Sequence, residues 1–292
     1  MHKIRIGGII SPHQFEHLPR LMEWGFETFS ILFHLRQEYD MPKIAAQLKT
    51  ALAGTNCTVS NLCSYGNAFL EDETGELVRN LWHKLVDAAE LFDTDIVAGF
   101  TGRVVDKPVP DSIPKYVDFF GPLAQKAKEK NVRIAFENCD YGGNWHTGGW
   151  NIAFNPRAWE LMFEALPADN IGLQWEPCHQ MGQLIDPIPQ LRKWAKKIFC
   201  VHAKDAHIAW DIVKEHGTLS GIPYVWHRTA GFGDSNWTEI MTILLMAGYE
   251  GTFDIEGYHD PIFRGELEFT GQVHALHYLK QCRGGVFHKN LW

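Results

Sequence analysis

The sequence has no cluster of basic residues and no long hydrophobic run. Its 27 Lys and Arg residues are outnumbered by 35 Asp and Glu residues, which gives a formal net charge of −8 at pH 7. Nucleic-acid binding draws most of its affinity from a concentrated basic face, so the composition argues against a nucleic-acid partner. No apolar stretch approaches the ~18 residues that a membrane-spanning helix needs, so no membrane partner is expected.

Cysteine pairs and targeting signals are also missing. The six cysteines are scattered along the chain and include no Cys-x-x-Cys pair. This pattern favours buried thiols in a reducing compartment over disulfides or a zinc ribbon. The first residues lead at once into a strand-like segment, without an apolar signal core or a small-residue cleavage site. We therefore expect a cytoplasmic protein.

Short β-branched or aromatic segments alternate with longer segments of helical period along the whole chain. This alternation is the sequence signature of a parallel sheet with crossover helices. The predicted strands cover residues 4–10, 28–33, 57–63, 96–100, 132–138, 171–176, 198–204 and 252–256. The predicted helices cover residues 14–24, 42–53, 76–92, 113–130, 156–166, 188–195, 237–247 and 271–281.

Eight such pairs in 292 residues give roughly 35 residues per unit, which fits a closed (β/α)8 barrel better than an open sheet. No Ser/Gly-rich linker or low-complexity tract divides the chain. The sequence therefore predicts an α/β fold, a single (β/α)8 TIM barrel domain over residues 1–292. A long loop over 205–236 follows the predicted seventh strand, and a C-terminal tail covers about 283–292.

Four consecutive predicted strands, the fifth to the eighth, end in residue types that bind metal ions. Glu137 ends the fifth, Glu176 the sixth and Glu256 the eighth, while His202 lies near the end of the seventh. The C-terminal ends of barrel strands converge on one mouth, where TIM-barrel active sites lie. Three carboxylates and an imidazole at one point suit a single divalent cation, so these four residues are the predicted metal ligands.

Strand alternation supports this arrangement. If Glu137 points into the barrel, Phe136 points outward to the covering helices. By the same rule, an inward His202 leaves Phe199 and Val201 pointing outward. The apolar residues thus fall where helices should cover them.

For any single position there is a plainer alternative. A carboxylate after a strand is often a helix cap, and a histidine there is often a satisfied core residue. Their coincidence on four adjacent strands favours a cation, because three crowded carboxylates would otherwise repel and raise one another's pKa. Mixed oxygen and nitrogen ligation suits Mn²⁺ first, then Co²⁺ or Mg²⁺, with Zn²⁺ left open.

The segments around these residues resemble the xylose-isomerase-like superfamily of sugar isomerases and epimerases. Within it, the chain is similar to the ketose 3-epimerase and sugar-phosphate isomerase/epimerase branch over essentially its whole length. The most specific segments are Ala135-Phe136-Glu137-Asn138, Trp175-Glu176-Pro177-Cys178-His179, Val201-His202-Ala203-Lys204-Asp205, Ala230-Gly231-Phe232-Gly233-Asp234 and Asp254-Ile255-Glu256.

The resemblance implies roles for individual residues. In that family, the glutamates that match Glu137 and Glu256 bind metal and act as the acid/base pair. The residue that matches His202 is a metal ligand, and those that match His179 and Arg228 hold substrate oxygens. The resemblance thus implies a metal-dependent enzyme that acts on a sugar or polyol.

Two departures from the family pattern leave the reaction class open. The family usually has Asp at the position of Glu176. The 3-epimerases carry a further Glu soon after the first catalytic one, whereas residues 139–146 here contain none. In this loop, Trp145 and His146 lie between pairs of glycines, and we predict that they contact substrate when the loop closes over the site.

The favoured function is a sugar isomerase or epimerase that removes a proton alpha to a carbonyl, with the enediolate stabilised by the bound cation. A free ketose or related polyol is favoured over a sugar phosphate, because no Gly-rich phosphate loop with a lysine is present. The principal alternative is a lyase that dehydrates an inosose or a 3-keto sugar, since both reactions begin with proton abstraction.

Two remote alternatives remain. The first is a non-catalytic barrel that only binds sugars, but such relatives normally lack one of the metal-binding residues. An apurinic-site endonuclease is suggested by Glu176-x-x-His179 and Asp205-x-His207, yet no histidine follows the third or fourth strand. A homo-oligomer is compatible with the sequence.

Overall fold

The computed structural model describes residues 2–291. The strands are β1 Arg5–Ile10, β2 Thr28–Leu32, β3 Thr58–Ser64, β4 Ile96–Gly99, β5 Arg133–Glu137, β6 Ile171–Trp175, β7 Ile198–Ile208, β8 Val225–Thr229 and β9 Thr252–Ile255. The helices are α1 Leu18–Trp24, α2 Met41–Leu52, α3 Glu73–Ala88, α4 Val109–Glu129, α5 Pro156–Ala165, α6 Pro177–Gly182, α7 Pro187–Trp194, α8 Trp210–His216, α9 Trp237–Met246 and α10 Glu268–Cys282.

Eight of the strands form a closed parallel barrel. Their order runs from β6 through β5, β4, β3, β2, β1 and β9 to β7, and pairing between β6 and β7 closes the ring. All eight predicted strands are present, and the predicted single α/β TIM barrel is confirmed. Among residues 2–291, no helix is long and apolar enough to cross a membrane.

The connection over 205–236 is more ordered than predicted. Strand β7 continues to Ile208, and β8 pairs with this extension in antiparallel fashion, outside the barrel ring. The buried Asp205 carboxylate holds the segment together, because it accepts hydrogen bonds from the backbone N–H of Ser235 and from Trp237 Nε1. The segment predicted as a loop thus contains helix α8 and strand β8.

Polar residues define where several helices begin. Asp40, Asp72, Asn155, Asp186 and Asn236 each accept a hydrogen bond from a backbone N–H in the first turn of α2, α3, α5, α7 and α9, respectively. Such caps satisfy donors that the helix itself leaves free. They place the start of each helix just before its apolar face meets the barrel.

Most strand side chains alternate as predicted. Phe136 points outward and contacts Trp82 of α3 and Phe120 of α4. Phe199 is the exception, because the pairing of β6 with β7 shifts register and skips this residue, leaving it inside the barrel. Its ring fills the space beside Gly172, where a Cβ would lie 2.7 Å from the ring. The prediction that Phe199 points outward is therefore wrong.

Asp254 places a carboxyl group inside the barrel. It accepts hydrogen bonds from Asn61 Nδ2 at 3.3 Å and Thr252 Oγ1 at 3.2 Å, while its Oδ1 has no partner within residues 2–291. Burial raises the pKa of this group from 3.8 to about 7, against an opposing effect of His202. The folded protein thus binds this proton more tightly than the unfolded chain does.

The raised pKa predicts how stability depends on pH. The stabilising effect of the neutral acid is present below pH 3.8 and is lost as pH rises to about 7. Asp254→Asn should raise the free energy of unfolding at alkaline pH by about 1–3 kcal/mol and flatten its pH dependence, as measured by urea denaturation. An equal pH slope in both proteins would contradict this prediction.

Candidate functional site

The four predicted ligand residues meet at the C-terminal mouth of the barrel. Glu137 ends β5, His202 lies within β7, and Glu176 and Glu256 directly follow β6 and β9. One ligand atom from each lies within 4.8 Å of those of the other three. The Asn138 side chain holds the backbone of Glu176 by accepting from its N–H at 2.6 Å and donating to its carbonyl at 2.8 Å. Neighbouring strand ends thereby position the cluster.

His202 Nδ1 lies at the focus of the three carboxylates. It is 3.0 Å from Glu256 Oε2, 3.6 Å from Glu137 Oε2 and 3.8 Å from Glu176 Oε2. Within the described part of the chain, neither His202 Nδ1 nor Glu176 Oε2 has a hydrogen-bond partner, although both atoms are buried. Buried polar atoms normally have partners. A buried imidazole nitrogen that makes no hydrogen bond and is surrounded by three carboxylate oxygens therefore fits a divalent cation with mixed oxygen and nitrogen ligation.

The pKa values of the three carboxyl groups are shifted in different directions. Burial raises the pKa of Glu137 to about 7; the nearby carboxylates add to this effect and His202 opposes it. Burial also acts to raise the pKa of Glu176 and of Glu256, but Lys204 and the histidines outweigh it, so both pKa values lie below their ordinary range. The surrounding protein groups thus favour the charged form of Glu176 and Glu256 and disfavour that of Glu137.

Lys204 is a site residue that the sequence reasoning missed. Its ammonium is buried at the mouth, 2.7 Å from Glu256 Oε1 and 3.5 Å from Glu176 Oε1. It lies two residues after His202 on β7 and therefore on the same inward face. Strand alternation was the signal that could have found it.

His179, the predicted substrate-binding residue, lies beside the cluster. Its Nδ1 is 3.1 Å from Asp140 Oδ1, and its Nε2 is 3.3 Å from Glu176 Oε1. The ring of His227, on β8, lies 5.3 Å from the His179 ring. Asp140 and His227 were not predicted, since neither ends a barrel strand.

Arg228 points to the other side of β8. Its Nε lies 3.3 Å from Asp260 Oδ2, and its guanidinium lies 5.6 Å from the centre of the Phe232 ring. Alternation on β8 separates it from its neighbour His227, which faces His179. Among the described residues, the ion-pair partner of Arg228 is Asp260 rather than a member of the cluster.

The structure does not bring Trp145 and His146 to the cluster. The Trp145 ring packs under the Arg157 guanidinium at 3.8 Å and against the outer core. His146 is exposed, and its backbone N–H donates to Asn144 Oδ1. The loop keeps this path because the buried Arg103 donates to the carbonyls of Asn144 and Trp145.

Aromatic rings line another side of the mouth. Tyr65 follows β3, with its ring 6.4 Å from that of His202 and 4.9 Å from that of Phe100, which follows β4. Tyr141 lies 5.9 Å from Phe100 and 4.4 Å from Trp150. A continuous wall of rings thus runs outward from the cluster, and its last two members are exposed.

A family model described as xylose isomerase-like TIM barrel matches residues 18–282 of the chain. An inosose dehydratase from Clostridium tetani is 27% identical to the chain over 164 residues, which cover 54% of this chain and 51% of the dehydratase. The match therefore spans about half the length of that relative.

Two solved structures share the fold over nearly the whole chain. L-ribulose 3-epimerase has a TM-score of 0.70 at 16% identity, with 96% of each chain covered. The 3-keto-D-glucoside 4-epimerase from E. coli has a TM-score of 0.71 at 15% identity, with 96% of this chain and 100% of that chain covered. Both are similar to this protein in fold.

Proposed function

The chain belongs to the xylose isomerase-like TIM barrel family, and we propose that it is a metal-dependent sugar isomerase or epimerase. The proposed substrate is a ketose or a related polyol, and the proposed reaction is removal of a proton alpha to its carbonyl. One observation carries the proposal: two buried glutamates, one partly buried glutamate and a buried histidine from four adjacent barrel strands converge within 4.8 Å.

Glu137, Glu176, His202 and Glu256 would hold the ion, with Mn²⁺ as the first choice for this ligand set. A bound divalent ion supplies stabilisation of negative charge on a substrate oxygen. The surrounding fold contributes a buried site, in which such electrostatic effects are stronger than in water.

Two glutamates are placed to move protons. Glu137 and Glu256 come from β5 and β9, which β6 and β7 separate in the barrel order. A substrate between them would present one face to each carboxylate, so a proton taken from one face by Glu256 can be replaced on the other by Glu137. The expected outcome is inversion at that carbon.

His179 is placed to bind a substrate hydroxyl. Its Nδ1 faces Asp140 Oδ1, which orients the ring, and its buried Nε2 has no hydrogen-bond partner within residues 2–291. The pair also supports the second candidate, a dehydratase, because a protonated His179 can donate to a departing hydroxyl group. The similarity to an inosose dehydratase also supports a dehydratase as the second candidate function.

A substrate panel in D₂O tests the proposal. Protein loaded with Mn²⁺ would be incubated with ketoses and keto-inositols, and the products analysed by NMR and mass spectrometry. We expect an isomeric product with deuterium at the carbon alpha to the carbonyl. A dehydrated product would favour the lyase, and an isomer without deuterium would indicate hydride transfer between carbons. Chelator-treated protein is the control and should form no product. Absence of any product from Mn²⁺-loaded protein across the panel would contradict the proposal.

A further inference from the structure

In both Glu176 and Glu256, the two carboxylate oxygens face different neighbours. Oε2 of Glu176 and Oε2 of Glu256 both point to His202 Nδ1, at 3.8 Å and 3.0 Å. Oε1 of the same residues point to Lys204 Nζ, at 3.5 Å and 2.7 Å. The ammonium therefore stands on the far side of this carboxylate pair from the candidate ion position. A second divalent ion that bridged the pair would need the oxygens that Lys204 occupies.

We propose that Lys204 is a fixed second cation that neutralises Glu176 and Glu256 and restricts this centre to one divalent ion. The inference rests on the proposed function, because it presupposes an ion held with His202. Three carboxylates, one divalent ion and one ammonium sum to zero charge, with the His179–Asp140 ion pair counted as neutral, whereas a second divalent ion would leave a buried excess of positive charge.

Further donor atoms lie beside Glu176 Oε1, one of the two oxygens that contact Lys204. Glu176 Oε1 accepts a hydrogen bond from Cys178 Sγ at 2.7 Å and lies 3.3 Å from His179 Nε2. Ligand atoms of Cys178, His179 and His227 lie within 4.8 Å of one another. A thiol and two imidazoles suit Zn²⁺ or Co²⁺. What keeps a second ion away from these donors is the charge of Lys204.

Removal of that charge should therefore create a second ion site. We would titrate chelator-treated protein with Co²⁺ and count bound ions by equilibrium dialysis. Wild-type protein and the matched Lys204→Arg variant should bind about one ion per chain, and Lys204→Ala about two. The added ion should show thiolate-to-cobalt charge-transfer absorption, because a metal deprotonates a coordinating thiol. Adding Cys178→Ser to Lys204→Ala should abolish this absorption.

The number of bound ions distinguishes failure of the Lys204 proposal from failure of the proposed metal centre. Lys204→Met, which keeps most of the side-chain length without the charge, replaces Lys204→Ala if circular dichroism shows that the latter is unfolded. One ion in wild type and one in every folded neutral variant would overturn the role of Lys204 alone. Two ions in wild type would also overturn it, and no ion in wild type would overturn the proposed metal centre as well.

Discussion

Glu176→Ala protein is expected to bind Mn²⁺ at least about 100-fold more weakly than wild type. Glu176 supplies one of three carboxylates around His202, and its Oε2 is buried without a hydrogen-bond partner within residues 2–291. Its removal leaves Lys204 with a single carboxylate contact, Glu256, so the positive charge near the ion position is less well neutralised. Isothermal titration of chelator-treated protein with Mn²⁺ measures the effect.

Glu176→Asp is the matched control, because it keeps the charge and the oxygen donors. The family that the sequence resembles usually has Asp at this position, so this variant should retain most of the affinity. Asn138 binds the backbone of residue 176 through both its N–H and its carbonyl, so the strand end should stay in place in both variants. Equal ion affinity in Glu176→Ala and wild type would remove Glu176 from the ligand set.

The barrel and the four candidate ligands were predictable because they follow from local patterns and one topological rule. Period-two and helical segments reveal the strand and helix order, and parallel barrel strands must end at one mouth. The position of a residue at a strand end can therefore be predicted without knowing which residues it contacts. The inward orientation of Phe199 could not be predicted in this way, because it depends on a register shift against β6 and on the space beside Gly172.

The rest of the site depends on contacts between residues far apart in sequence. The path of the loop that carries Trp145 and His146 is determined by Arg103, whose guanidinium binds carbonyls of that loop. The strand β8 forms only because β7 extends beyond the barrel. Lys204 was overlooked because lysines are rarely buried unless they are paired, and its partners come from β6 and β9.

Glu137→Gln is expected to lower turnover by about 10²–10⁴-fold, the contribution of general acid–base catalysis. The amide keeps a similar shape and an oxygen donor near His202, but it cannot hold or release a proton at neutral pH as the carboxyl does. Ion content should therefore fall less than turnover. Deuterium incorporation and product formation would be measured separately, once the panel has identified a substrate.

Glu256→Gln is the matched variant on the opposite side of the substrate. If each glutamate serves one face, Glu137→Gln should still exchange the proton that Glu256 removes, and Glu256→Gln the proton that Glu137 removes, in both cases without net inversion. The double variant should exchange neither. These patterns separate loss of a base from loss of the ion, because loss of the ion would abolish exchange on both faces at once. Full turnover in either single variant would contradict the two-base scheme.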